Sequence, residues 1–530
     1  MLDTKEARLT KKREDRNLGW YIECISNYGL KTIGVCIFSL LLFYALRYTH
    51  FMIPLEAERS NILKDNLWHN IMAIIVFLLI LFLLYVLDAK IGDRAKKILS
   101  YVSLSCAMLF IMTAGFWWIH SAIRIPESDQ AIVYGFASYF IDGQYSFLNT
   151  EGGYFGTYPH QLPLVALMEG FFRIVGPLNY QAYQTLNVLF ITATVFLLWM
   201  CVREITKSMP VSVICSILSA NCFPLFFYSS WVYGEIPSLF FTFLGAWMLI
   251  KYANTTRIGW LFGVVFSLGM AVATRKNAII FVVAFCIISI IYAICRKNIP
   301  ILIAALGAIV LPTMIYLGVY KMYEVRSGYE HSSGMPASMF IEMGLHENNG
   351  CYGWYDNCVL ELAKEVNYDW DEAGRIARER IVADLTVFKS DLSYAGVFFR
   401  EKILSQWNNP LYQSLFFSAN YRPENVPSEG TLVYKVSHDY FMNILEYQNY
   451  IQLIVFLGVV LYYLFSIKRK NNILQQFFSV ALIGGFLFCI LWEGKSRYMF
   501  PYYVSMFPLA VIGYHSLAEI IMAQKIKRKG

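Results

Sequence analysis

His69-Asn-Ile-Met-Ala-Ile-Ile-Val-Phe-Leu-Leu-Ile-Leu-Phe-Leu-Leu-Tyr-Val-Leu87 is a run of nineteen residues without a carboxylate, an amine or a guanidinium. At ~1.5 Å of rise per helical residue it is long enough to cross about 30 Å of hydrocarbon. Working outward from it, comparable stretches recur at 30–48, 98–119, 182–201, 211–229, 235–251, 259–274, 277–294, 299–322, 450–466, 474–491 and 499–522. The reading is an all-α polytopic membrane protein with about twelve transmembrane helices. Composition agrees: of 530 residues 57% are hydrophobic and 15% charged, with a mean hydropathy of +0.47, outside the usual range of soluble domains.

The formal charge of +7 does not point to nucleic acid, because the basic residues sit in short clusters between apolar stretches. Lys11, Lys12, Arg13 and Arg16, the loop Lys90 to Lys97, Arg296 with Lys297, Lys468 to Lys470, and Lys525 to Lys529 are expected on the cytoplasmic side by the positive-inside rule. The first apolar stretch starts late and lacks a small-residue cleavage site, so it reads as a retained span rather than a signal peptide. Counted from either end, the spans disagree by one crossing. The short segment 162–176, which carries Glu169 and Arg173, resolves this if it dips in as a re-entrant or interfacial piece without crossing.

The expected organisation is a cytoplasmic N-terminus with two spans (1–97), a transmembrane module (98–322) with a first outer loop at 120–161, a large extracytoplasmic loop (323–449), and C-terminal spans with a basic tail (450–530). Loops this long usually have a task. Ala131 to Phe140 has the spacing of a short amphipathic helix, and 371–405 reads as one or two more. Most of the eleven cysteines lie in apolar stretches. Cys351 and Cys358 stand on the large loop, where they are either a local disulfide or two free thiols.

Ionisable groups beside hydrocarbon are costly and usually functional. Several fall at span ends expected on one surface: Glu127 and Asp129, Tyr158 and His160, Glu235, Arg275 with Lys276, and Glu493, Lys495, Arg497 and Tyr498. Carboxylates beside cations at a membrane surface suit a substrate with a lipid-anchored phosphate.

Their order resembles the polyprenyl-phosphate-sugar-dependent membrane glycosyltransferases of the C superfamily, which include protein O-mannosyltransferases and the aminoarabinose transferase of lipid A. The resemblance runs over about 98–515. It takes in Asp129 at the head of a loop helix, the Pro-containing segment from Tyr158 to Gly176, the Glu235 turn, Ala273-Thr274-Arg275-Lys276, and Glu493-Gly494-Lys495-Ser496-Arg497-Tyr498, which is similar to the family's Glu-x-Lys-x-Arg-Tyr pattern. The chain departs from relatives with two adjacent acids in the first loop, since Gln130 follows Asp129, and it adds two spans before residue 98. The first departure leaves the cofactor open, a divalent cation being one candidate.

The resemblance implies displacement at the sugar's anomeric carbon with lipid phosphate leaving. Asp129 would take the acceptor proton, and Arg275, Lys276, Lys495 and Arg497 would hold the departing phosphate. Glu127, Tyr158, His160, Glu235, Glu493 and Tyr498 are further site candidates, and His160 would bind a metal, orient the acceptor, or only find a hydrogen bond. Each has a plainer reading: Asp129 as a helix cap, Arg275 and Lys276 as a polar turn, and the late cluster as surface ion pairs. The implied partners are a polyprenyl-phosphate sugar, the bilayer, and an extracytoplasmic glycan, lipid or protein acceptor, with no nucleic acid. A bacterial plasma membrane with the site outside is the expected location. A lipid-linked glycan ligase or polymerase is the nearer rival, and a secondary transporter, which should show repeats and broken helices at mid-membrane, is the more distant one.

Overall fold

The computed structural model describes residues 18–54, 56, 58–122, 125–149, 152–418, 427–467 and 473–527. The clusters Lys11 to Arg16 and Lys468 to Lys470, and the terminal Lys529, lie outside the described residues. Among those described, ten helices are long and apolar enough to cross a membrane: Gly19–Arg47, Leu67–Lys90, Asp93–Ser121, Tyr180–Thr206, Glu235–Thr255, Lys276–Arg296, Ile299–Ser327, Phe441–Ser466, Ile473–Leu491 and Ser496–Met522. All twelve expected segments are helical, but two are not straight, full-length spans. Gly259–Thr274 has 16 residues, and Met209–Ala220 with Phe223–Ser230 forms a pair bent by 49°. The break precedes Pro224, which cannot continue a helical hydrogen-bond ladder. Gln448 fills it, accepting from the Phe223 N–H (3.3 Å) and donating to the Asn221 carbonyl (2.9 Å), as freed backbone groups in hydrocarbon require.

The Leu67–Lys90 helix has 17% of its most apolar window buried against 72% for Phe441–Ser466. The first therefore faces lipid along most of its length, and the second is the packed centre of the bundle. Leu162–Val175 has 14 residues, fewer than the ~20 a helix needs to cross the hydrocarbon. Leu164 at its start lies against Gly234, and Tyr183, in the first turn of the Tyr180–Thr206 helix that follows, donates from Oη to the Tyr233 carbonyl at 2.9 Å. Buried Glu169 secures the shorter helix, accepting from Arg173 (2.6 Å), Tyr323 (2.8 Å) and Arg326 (2.9 Å).

At that same end sit a hairpin, Tyr48–Phe51 paired antiparallel with Asn61–Lys64, and the helix Asp129–Ile141, which matches the expected amphipathic piece. A small helical domain joins them between Ser327 and Phe441. Its 371–405 stretch is two helices, Trp370–Ser390 and Leu392–Trp407. Cys351 and Cys358 are free thiols. Cys351 packs on the cluster of Met52, Trp354 and Phe416, while Cys358 packs with Met339, Met343 and Leu362.

Candidate active site

The site is assembled by close backbone contact between turns. Gly234, the N-cap of the Glu235–Thr255 helix, comes so near the Gly259–Thr274 helix that a Cβ there would overlap the Thr274 carbonyl oxygen. Ser238 Oγ ties the same helices by donating to the Ala271 carbonyl at 2.9 Å. Glu235 thus begins its helix facing Arg275, which leaves the neighbouring helix with extended backbone (φ −151°). Arg275 Nη2 lies 3.2 Å from Glu235 Oε1, and Arg497, in the first turn of the last helix, brings Nε to 3.7 Å of the same oxygen. Trp231 Nε1 donates to the other oxygen at 2.8 Å. One buried carboxylate is therefore shared by two guanidiniums.

Aromatic faces hold both cations. Arg275 lies 5.1 Å from the Tyr233 ring centroid and 5.2 Å from that of Tyr498, and Arg497 lies 4.9 to 5.2 Å from those of Trp231, Phe417 and Tyr498. Among the described residues, Arg497 Nε has no hydrogen-bond acceptor although the side chain is 7% exposed. Its nearest acceptor, Glu235 Oε1 at 3.7 Å, is too far for a hydrogen bond, and a buried donor left unbonded is costly unless a ligand completes it.

Asp129 opens its helix on strained backbone. Ser128 before it sits at φ 53°, and its side chain makes no capping bond. Asp129 is half-buried, and its charge is felt by Tyr154, Tyr158, Tyr233, Tyr355 and Arg497. Gln130, the departure from a double-acid pattern, is a structural tie: its Oε1 accepts from the Val232 N–H at 2.7 Å and stitches the Asp129 helix to the Glu235 turn. Glu127 is buried just upstream. Tyr158 Oη donates to Tyr355 Oη at 3.3 Å, and Tyr154 meets Tyr233 at 3.2 Å. Burial, then the cations Lys276 and Arg275, push His160 down to about 3, so it is a neutral imidazole at ordinary pH. Lys276 itself is exposed.

Two late-motif residues behave differently from expectation. Lys495 does not join the guanidiniums. Its Nζ pairs with Glu58 of the hairpin loop at 2.6 Å and lies 5.2 Å from the Trp354 centroid. Glu493 is buried, and burial pushes its carboxyl up against the opposing pull of Lys495, Arg497, Arg275 and Lys402. Lys402 and Gln406, which carried no signal in the sequence, fix this loop. Fully buried Lys402 donates to the carbonyls of Gly344, Ile490 (2.8 Å) and Trp492 (3.1 Å), and Gln406 donates to those of Cys489 (3.2 Å) and Gly494 (3.1 Å). Sequence reading also missed Trp231, although an aromatic shortly before a buried acid is a readable hint.

The residues do not fit a divalent cation. Among the described residues no three His, Cys, Asp or Glu side chains group together, and Glu235 is engaged by Arg275 and Arg497 instead.

Fold and site thus define a polytopic, all-α membrane protein with a buried arginine pair at one end of its bundle. The dolichyl-phosphate-mannose-protein mannosyltransferase family matches residues 161–316. That stretch holds Glu235, Arg275 and Lys276, and the match bears out the resemblance to the C-superfamily membrane glycosyltransferases. No curated protein matches the chain. Among solved structures, the chain is similar to the archaeal oligosaccharyltransferase AglB from Archaeoglobus fulgidus in complex with an inhibitory peptide and a dolichol-phosphate, at 12% identity and a TM-score of 0.43. The alignment covers 81% of this chain and 52% of that one, so this chain spans about half its length.

Proposed function

We propose that this protein transfers a sugar from a polyprenyl-phosphate donor to an acceptor hydroxyl at the extracytoplasmic face of a bacterial plasma membrane. The observation that carries the reading is the arginine pair on a single carboxylate with one buried donor unspent. That arrangement has a surplus positive charge and suits a phosphate whose charge grows as the glycosidic bond breaks. Arg497 and Arg275 hold the leaving phosphate, Lys276 adds charge at the mouth, and Asp129 accepts the proton of the attacking hydroxyl. Tyr154, Tyr158 and Tyr355 lie close enough to Asp129 to feel its charge. Glu235 orients the guanidiniums and does no proton transfer.

The orientation rests on charge. Lys90, Arg94, Lys96 and Lys97, and Arg296 with Lys297, lie at helix ends opposite the site, as the positive-inside bias places cytoplasmic turns.

The test is transfer of radiolabelled sugar from a panel of polyprenyl-phosphate sugars in proteoliposomes, with Asp129→Asn compared at equal folded protein. Loss of a general base should lower the rate about 10²–10⁴-fold. Transfer that persists in the variant removes Asp129 from the chemistry and favours a glycan ligase or polymerase. Absence of transfer with every donor tried sinks the transferase reading and leaves a transporter to consider.

A further inference from the structure

Sharing no residue with the Glu235 cluster, a second cavity of about 260 Å³ lies between the N-terminal hairpin and the Phe441–Leu461 helix. Asp65, Asn70 and Asn449 line its inner wall, and Asn443 and Glu446 are exposed at its rim. Asp65 accepts from Thr49 Oγ1 at 2.9 Å and from Asn449 Nδ2 at 3.1 Å, and the same Nδ2 lies 3.4 Å from Asn70 Oδ1. Asn70 and Asn449 are each 2% exposed, and among the described residues Asn449 Oδ1 has no hydrogen-bond partner. A buried amide oxygen left unpaired is costly, so a cavity that keeps one asks for a ligand with a donor.

The lining narrows the ligand's chemistry. The carboxylates of Asp65 and Glu446 and the ammonium of exposed Lys64 all line the cavity, so neither sign of charge dominates and a neutral ligand fits it best. A hard cation needs a shell of oxygens, but here the Asn449 amide nitrogen stands among them. Donors and acceptors alternate along the wall, which matches hydroxyl groups, because each hydroxyl both donates and accepts. The volume falls just under the ~300–1,000 Å³ of drug-sized ligand pockets and suits a single ring.

We propose that this cavity binds a neutral saccharide unit. If the transferase reading above holds, on which only this role depends, the unit is a non-reacting part of a glycan acceptor, held by the two spans and the hairpin that lie outside the family match. The full chain in detergent, with no donor present, is mixed with a panel of methyl glycosides (glucoside, galactoside, N-acetylglucosaminide, rhamnoside) and observed by saturation-transfer difference NMR. The expected result is transfer to the ring protons of at least one glycoside, falling about five-fold or more in Asn443→Ala and in Asp65→Asn, as for loss of one good hydrogen bond. Asn443 is exposed, so its variant keeps the parent's melting temperature. No transfer from any glycoside, or equal transfer in parent and variants, overturns the proposal. So does a calcium-induced rise in melting temperature that Asp65→Asn abolishes, which makes the cavity a cation site. Binding is read without turnover, so a failed transferase assay leaves this result intact.

Discussion

Arg497 shows why a guanidinium, and not simply a positive charge, belongs at this position. Its planar group is flanked by Trp231, Phe417 and Tyr498, while Nε lies 3.7 Å from Glu235 without a hydrogen bond. An ammonium cannot reproduce that fork. Arg497→Lys should therefore fold and keep its charge yet lose about 10²–10³-fold in transfer rate, the usual effect of removing one donor to a developing oxyanion; rate per folded protein in proteoliposomes checks it. Two buried histidines supply a pH prediction. Burial holds both His50 and His160 at about 3, whereas an unfolded histidine titrates near ~6.5. Between those values the unfolded chain binds protons that the folded chain refuses, so their contribution to stability is complete above ~6.5 and is lost as pH falls toward 3. Melting temperature should drop on acidification across that window, and the double variant His50→Gln, His160→Gln should show a shallower drop. At this scale the sequence was informative where chemistry is local. Glu235, Arg275 and Arg497 stood out because charges beside hydrocarbon are rare. Gln130 and Lys495 read less well, because what they touch, Val232 and Glu58, is brought to them only by folding.

Between elements, the site depends on backbones that touch. Gly234→Ala would push its turn off the Thr274 carbonyl and separate Glu235 from Arg275. The expected cost is about 1–3 kcal/mol, typical of overpacking, together with a fall in transfer. Thermal unfolding and the transfer assay read the two effects separately. Lys402 does for the late loop what Gly234 does for the early one, gathering three carbonyls at the end of the Phe477–Leu491 helix. Lys402→Met keeps the length of the aliphatic stem but removes the ammonium and leaves those acceptors unpaired. It should cost about 1–3 kcal/mol and raise KM for donor more than it lowers kcat if the loop's position, not its chemistry, is what Lys402 supplies. Neither residue carries a legible signal. A glycine among turns and a lysine in an amphipathic helix are both commonplace, and their importance comes from a second backbone distant in the chain.

For the whole molecule, the orientation can be tested directly. In a background with Cys351 and Cys358 replaced by Ser, a membrane-impermeant maleimide should label Lys276→Cys on intact cells and Arg257→Cys only after lysis, because the two exposed positions lie at opposite ends of the bundle; the reverse pattern would put the site in the cytoplasm. The twelve helical segments, the shortness of the piece at 162–176 and the loop helix near Asp129 were all legible in the amino-acid sequence. Transfer of a side chain into hydrocarbon is favoured or opposed residue by residue, so spans are written locally. The tertiary structure decided what meets what. It bent 209–230 about a break that Gln448 fills, shortened 259–274, left the two loop thiols free, turned Lys495 toward the hairpin, and set Arg275 and Arg497 on one carboxylate. Those outcomes depend on packing between segments distant in sequence, where the fit of one backbone against another determines which charges share a buried space.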